Sequence, residues 1–195
     1  MDDLKGLLDL FKLIEPLQKE VEGLGNGLDG PALNETRNAT YHLLSALCGD
    51  DRAQRADQLH KAERHAQRAI YDCSEAMILN ELEKLRLFKD DYRLIVIGET
   101  LPDYQAYMEC ADEAKYRIAE ARKNKENREQ FYKVVQEDID KLRKVNSSCS
   151  TAREELNKRI MSQNRKNFWA KVALAGTGVG VLITLLAWMY PRPPV

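Results

Sequence analysis

The chain has 195 residues, with 30 Lys+Arg against 31 Asp+Glu, three His, four Cys and a mean hydropathy of -0.53. Setting aside Lys171 and Arg192 leaves 28 basic against 31 acidic residues in positions 1–167. That balance excludes nucleic-acid binding through overall positive charge and confines any anion site to a local cluster. Cys48, Cys73, Cys110 and Cys149 form no CxxC pair and have no metal-ligand spacing. Free thiols in a reducing compartment are therefore expected, with no metal and no cofactor.

Leu4, Leu7, Leu8, Phe11, Ile14, Leu17 and Val21 recur at three- and four-residue steps, predicting an amphipathic helix over residues 1–22. Pro16 lacks an N–H and should kink it. Asp2, Asp3 and Asp9, with Lys5 and Lys12, exclude a secretory signal. Residues 23–30 hold four glycines, a flexible hinge, and Pro31 suits the first turn of the next helix. The first helix is then either a mobile gating element, with Phe11, Ile14 and Pro16 as its working residues, or a core helix on a loose loop.

A second helix is predicted from about Pro31 to Cys48, ending at Gly49-Asp50, with Asp51 capping the third. From Arg52 to about Ile97 there is no proline or glycine, so one long helix is predicted. The β-branched run Leu94-Ile95-Val96-Ile97 leaves a short strand as the alternative. Pro102-Asp103 starts the next helix. Counting in sevens from Tyr107 gives Ala114, Ala121, Arg128, Val135, Leu142, Cys149, Leu156, Gln163, Ala170, Thr177 and Thr184, so the phase carries into the small-residue face of the apolar run. The companion positions include Ala111, Ile118, Lys125, Tyr132, Ile139, Asn146, Arg153 and Ile160. This heptad seam predicts one rod from about Tyr104 to Tyr190, roughly 130 Å long, in which Asn146-Ser147-Ser148-Cys149-Ser150 is the weakest stretch.

The rod ends in a run, Val172 to Tyr190, with no ionisable group except the terminal tyrosine. Nineteen residues at helical rise span ~28 Å, about the hydrocarbon thickness of a bilayer. Phe168 and Trp169 at one edge, and Trp188 and Tyr190 at the other, suit interfacial belts. Arg159, Arg165, Lys166 and Lys171 precede the span and only Arg192 follows it, so the positive-inside rule places residues 1–167 in the cytoplasm. Asn38-Ala39-Thr40 is then a chance glycosylation match. The predicted organisation is all-α. It comprises a gating helix (1–22), a hinge (23–30), a cytoplasmic helical domain (31–167), one transmembrane helix (168–190) and a short outer tail (191–195).

No nucleotide-binding loop, nucleophile elbow or metalloprotease motif occurs, and no enzyme is expected. The third helix carries Arg52, Arg55, His60, Lys61, Arg64, His65 and Arg68. His60, Arg64 and Arg68 form one row, and Lys61, His65 and Arg68 the adjacent one. Either this is a solvated face balanced by acids such as Glu63 and Asp72, or it is an anion site. Lys125 and Arg128 occupy seam positions, where cations need neutralising by Glu126 and Glu129 or by a bound polyanion. In the apolar run, Ala173, Thr177, Gly180, Thr184 and Ala187 share one face, and Gly176 with Gly180 makes a GxxxG. Such faces let helices self-associate, with or without a pore.

A helical sensor on one oligomerising span, with basic groups and no catalytic set, resembles the small membrane effectors of bacterial antiphage defence of the Hailong type. The likeness lies in the layout, carried by the N-terminal helix with its glycine hinge, the His60 to Arg68 cluster and the Thr177-Gly180-Thr184 face. It implies a tetrameric ion channel in the bacterial inner membrane. It also implies opening by an anionic nucleotide or short single-stranded oligonucleotide, supplied by a partner nucleotidyltransferase. The alternative from the residues alone is a tail-anchored interaction protein of the SNARE or adaptor type.

Overall fold

Every regular element of the computed structural model is helical, and it describes residues 2–26, 30–124 and 128–189. Only the backbone is described at 2, 3, 25, 26, 128 and 129, and at most positions after 174. The five α-helices are α1 (Asp2–Val21), α2 (Gly30–Cys48), α3 (Arg52–Asp91), α4 (Tyr104–Lys123) and α5 (Tyr132–Met189). Helix α1 runs through Pro16 without interruption and passes into a π-helical turn at Glu22–Asn26.

Helix α3 is the spine, about 60 Å long at helical rise. Asp51 caps it as expected: its carboxylate oxygens accept from the Ala53 and Gln54 amides, both at 3.2 Å. The first half of α3 packs against α1 and α2 through a core of Leu7, Leu10, Ile14, Ala39, Ala62 and Ala66. Alanines at 32, 39 and 46 of α2, and at 62, 66 and 69 of α3, are fully buried. Side chains this small let the two backbones approach closely. Helix α1 then supplies the bulk that the alanines lack. It is a core helix, tied in further by Gln18 to Thr36 at 3.0 Å and by an ion pair between Glu20 and Arg143.

The second half of α3 carries α4 and α5. Residues 94–97 form neither strand nor α-helix; α3 stops at Asp91, and a 3-10 turn follows at Ile97–Glu99. Nor is the seam one rod, because α4 ends at Lys123 and α5 starts at Tyr132, after a 3-10 turn at Arg128–Phe131. Between Ala121 and Phe131 the sequence has no apolar residue, so a continued helix would have no apolar side chain there to pack on the core. At Asn124 the side-chain amide donates to the Glu120 carbonyl at 3.2 Å, and the chain leaves the helix. Reversal buries Ile118 of α4 together with Val135, Ile139 and Leu142 of α5. At about 1.5–3 kcal/mol for each such side chain, this outweighs the few helical hydrogen bonds lost, about 1 kcal/mol each.

The apolar seam residues of α5 from Val135 to Leu156 are buried, but against α3 of the same chain. Val135, Ile139, Leu142, Cys149 and Leu156 of α5 join Met77, Ile78, Leu85 and Phe88 in one core. The polar seam positions have partners there too. Asn146 donates to the Glu81 carbonyl at 2.9 Å and to its carboxylate at 2.7 Å. The Arg153 guanidinium lies 5.4 Å from the centre of the Phe88 ring and donates to Asp91 at 2.8 Å. Packing therefore carries α5 straight through the weak stretch 146–150, against its intrinsic propensity. Beyond Ile160, every residue of α5 up to Leu174 is exposed, so the helix leaves the bundle unaccompanied.

Among the described residues no helix is long and apolar enough to cross a membrane. The run 172–190 falls only partly among them: Tyr190 and the tail 191–195 lie outside, and so does the Trp188 side chain.

The α4–α5 hairpin closes on one pair. Asp138, 1% exposed, accepts from Arg117 Nε at 2.6 Å and Nη2 at 2.8 Å. Arg117→Leu leaves that carboxylate buried without its partner, and about 3–5 kcal/mol of stability should be lost. Urea unfolding of the purified protein measures it. The double variant Arg117→Leu with Asp138→Leu should recover most of the loss.

Candidate functional site

The cationic residues of α3 are spread around its first half, and His65 contacts α2, at Glu35 and His42. Arg52, Arg55, His60 and Lys61 are exposed, while Arg64, His65 and Arg68 are half-buried. They do not converge on one groove. Lys61 Nζ lies 2.7 Å from Asp57 on the outer face of its own helix. Arg64 and Arg68 are each already engaged by a neighbour. His60 points away from His65, as its five-residue spacing requires. Among the described residues no group of three His, Cys, Asp or Glu is placed to hold a metal ion.

His65 faces α2. Its Nδ1 lies 2.6 Å from Glu35 Oε2, and its ring stacks on His42, with centroids 5.2 Å apart and planes 12° apart. His42 Nδ1 in turn lies 2.6 Å from Gln58 Oε1, and Tyr41 packs against the His42 ring at 5.4 Å. These contacts form a polar ladder across the α2–α3 interface, Glu35–His65–His42–Gln58. Carboxylate and amide oxygens are acceptors, so Nδ1 of each imidazole serves as donor and Nε2 of each is left to accept.

Sequence reasoning named His65 and missed His42 and Glu35. The signal was present: a tight hairpin at Asp50 pairs residues equally far on either side. His42 and Gln58 are each eight residues from Asp50, and Glu35 and His65 each fifteen.

The remaining candidates are scattered. Lys125 and Glu126 lie outside the described residues, as do the Arg128 and Glu129 side chains. In α1, Ile14 is buried, Phe11 half-buried and Pro16 exposed. Ala173 and Thr177 are exposed on the projecting part of α5, where the Thr177 hydroxyl donates to the Ala173 carbonyl at 2.9 Å. Gly176, Gly180, Thr184 and Ala187 continue that helix in backbone only. No family model, curated protein or solved structure matches the chain.

All four cysteines are free thiols; Cys48 is exposed, whereas Cys73 and Cys149 are buried. Burial pushes the Cys149 thiol up from 9.0 to about 11, with the Arg153 guanidinium opposing it in part. The native state then holds this proton more tightly than the unfolded chain does. Its contribution to stability is complete below about pH 9 and is lost as pH rises through about 11. At pH 8 about one Cys149 in a thousand is thiolate. Maleimide at that pH should label Cys48 and spare Cys149 until the protein is unfolded, as peptide mapping by mass spectrometry will show. Rapid native labelling of Cys149 would contradict the α3–α5 packing.

Proposed function

We propose that the chain is a single-pass membrane effector that works as a homo-oligomer, with α5 as its anchor and its transmission element. The observation that carries this reading is the course of α5: one helix is core in the bundle, leaves it at Ile160 and continues into the uncharged run. A lone helix exposing Phe168, Trp169, Leu174, Leu182, Leu185 and Leu186 is unsuited to water and suited to lipid or to its own copies. The seam cannot serve for assembly, since α3 already occupies it. Self-association therefore falls to the projecting segment and its face at Ala173, Thr177, Gly180, Thr184 and Ala187.

In this reading an anionic nucleotide or short oligonucleotide binds the cationic face of α3 around His60, Lys61, Arg64, His65 and Arg68. Binding there competes with Asp57 for Lys61 and with Glu35 for His65, and loosens the α1–α2–α3 packing. The change passes through the Glu20–Arg143 pair to α5 and opens a pathway between the spans. Fourfold assembly, the bacterial inner membrane and a nucleotidyltransferase partner come from the resemblance to antiphage effectors. The second reading, a tail-anchored adaptor, is favoured by the exposed row Leu33, Tyr41, Leu44 and Leu47 on α2, an apolar face open to a partner helix.

Ion flux from liposomes holding the purified protein separates the two. For a channel effector, Arg143→Glu should raise basal flux by placing like charge beside Glu20. Arg64→Glu with Arg68→Glu should abolish the response to added oligonucleotide while leaving assembly intact. A monomer in detergent, with no flux from any variant, would leave the adaptor reading.

A further inference from the structure

The turn between α3 and α4 alternates inward and outward residues. Ile95 and Ile97 pack on the bundle core, whereas Leu94 is 81% and Val96 66% exposed. Internal hydrogen bonds stiffen the turn: the Ile95 amide donates to the Tyr92 carbonyl at 3.2 Å and the Leu101 amide to the Ile97 carbonyl at 2.9 Å. Arg159 of α5 pins it, donating to the Glu99 carboxylate at 2.7 Å. The apolar tips are therefore held out by a rigid support.

Their position along α5 is fixed as well. Leu94 and Val96 border a surface cleft with Arg159 and Gln163, and Leu94 borders a second with Asn164 and Asn167. The exposed pair Phe168 and Trp169 begins at the very next residue. From Asn164 to Trp169 the helix rises about 7.5 Å, close to the headgroup layer of one leaflet, about 5–8 Å. The same level carries an excess of basic groups. Arg93 adjoins Leu94, Arg165 and Lys166 are exposed on α5, the acids lining the two clefts, Asp91 and Glu99, are paired with Arg153 and Arg159, and no acid occurs from Met161 to Met189.

From this juxtaposition we infer that the α3–α4 turn is a second membrane contact, with Leu94 and Val96 seated in the interface of an anionic bilayer beside α5. The inference rests on the reading of α5 as the membrane anchor. Its consequence is that the bundle meets the membrane at two points and cannot swivel freely about α5. An anionic lipid surface fits the occupant better than a second copy does, because the tips share their level with cations and an aromatic pair, the usual composition of an interfacial zone.

The full chain with Cys48→Ser and Cys110→Ser leaves only the buried thiols of Cys73 and Cys149. An environment-sensitive fluorophore is then attached at Leu94→Cys, or at Tyr116→Cys on the exposed face of α4 as control. Each protein is reconstituted into vesicles of phosphatidylcholine and phosphatidylglycerol carrying a shallow spin-labelled lipid. Quenching at position 94 should exceed that at 116 several-fold, and it should fall when phosphatidylglycerol is left out. If tryptophan emission is quenched and the label at 94 is not, α5 is in the bilayer and the turn is not, and the inference is overturned. If neither is quenched, the anchor reading fails and takes the inference with it. Shielding of position 94 without quenching, accompanied by crosslinks between copies through that cysteine, would put a second chain there and also overturn it.

Discussion

Asn146 donates to Glu81, Arg153 lies across Phe88, and Tyr92 donates to Asn157 at 3.0 Å, all at one register of 65 residues between two parallel helices. Parallel neighbours cannot be joined by a tight turn, so a return element must run between them. Helix α4 is that element, and the break before α5 follows from it. The register also decides where α5 is left alone. Helix α3 ends at Asp91, whose partner on α5 is Arg153. Past Ile160 only the α3–α4 turn still borders α5, as far as Asn167, and beyond it no element among the described residues accompanies the helix. The length that projects from the bundle is thus set by where α3 stops.

The other half of the spine obeys a different rule. Alanine at 39, 62, 66 and 69 brings α2 and α3 too close together for large side chains, and α1 lies over them with Leu7, Leu10 and Ile14. A helix that contributes most of the large apolar groups to a core is held by that core. If α1 is a gate, its movement must disrupt this packing, which makes the resting state the default. Of the cationic row on α3, His65 lies on this same interface, through its contacts with Glu35 and His42.

Much of the fold was legible in the chain. The limits of α2, the Asp51 cap and the start of α4 after Pro102-Asp103 follow from local chemistry, and the apolar seam residues from Ala111 to Leu156 face inward, whereas Gln163, Ala170 and Thr177 further along the same count are exposed. What periodicity does not carry is the identity of the partner. Val135, Ile139 and Leu142 have the spacing of an intermolecular coiled coil, yet they face α3. The hairpin at 124–131 keeps the seven-residue phase on both sides, so counting in sevens passed over it. The polar stretch from Arg122 to Gln130 was the overlooked signal. At the candidate site, His65 was visible as one of a row of cations, but its pairing with Glu35 and its stack on His42 depend on how α2 and α3 align.

The proposed function depends on α5 joining the bundle to the apolar run as one uninterrupted rod. The most direct measurement is the distance between spin labels at Asp140→Cys and Lys166→Cys, with Cys48 and Cys110 replaced by Ser, in nanodiscs diluted with unlabelled chains. Twenty-six residues of unbroken helix place the labelled backbones about 39 Å apart. A single narrow distribution near that value is predicted. A broad distribution, or one centred well below it, would mean that the helix bends at Asn146–Ser150 and that the bundle and the apolar run are mechanically separate.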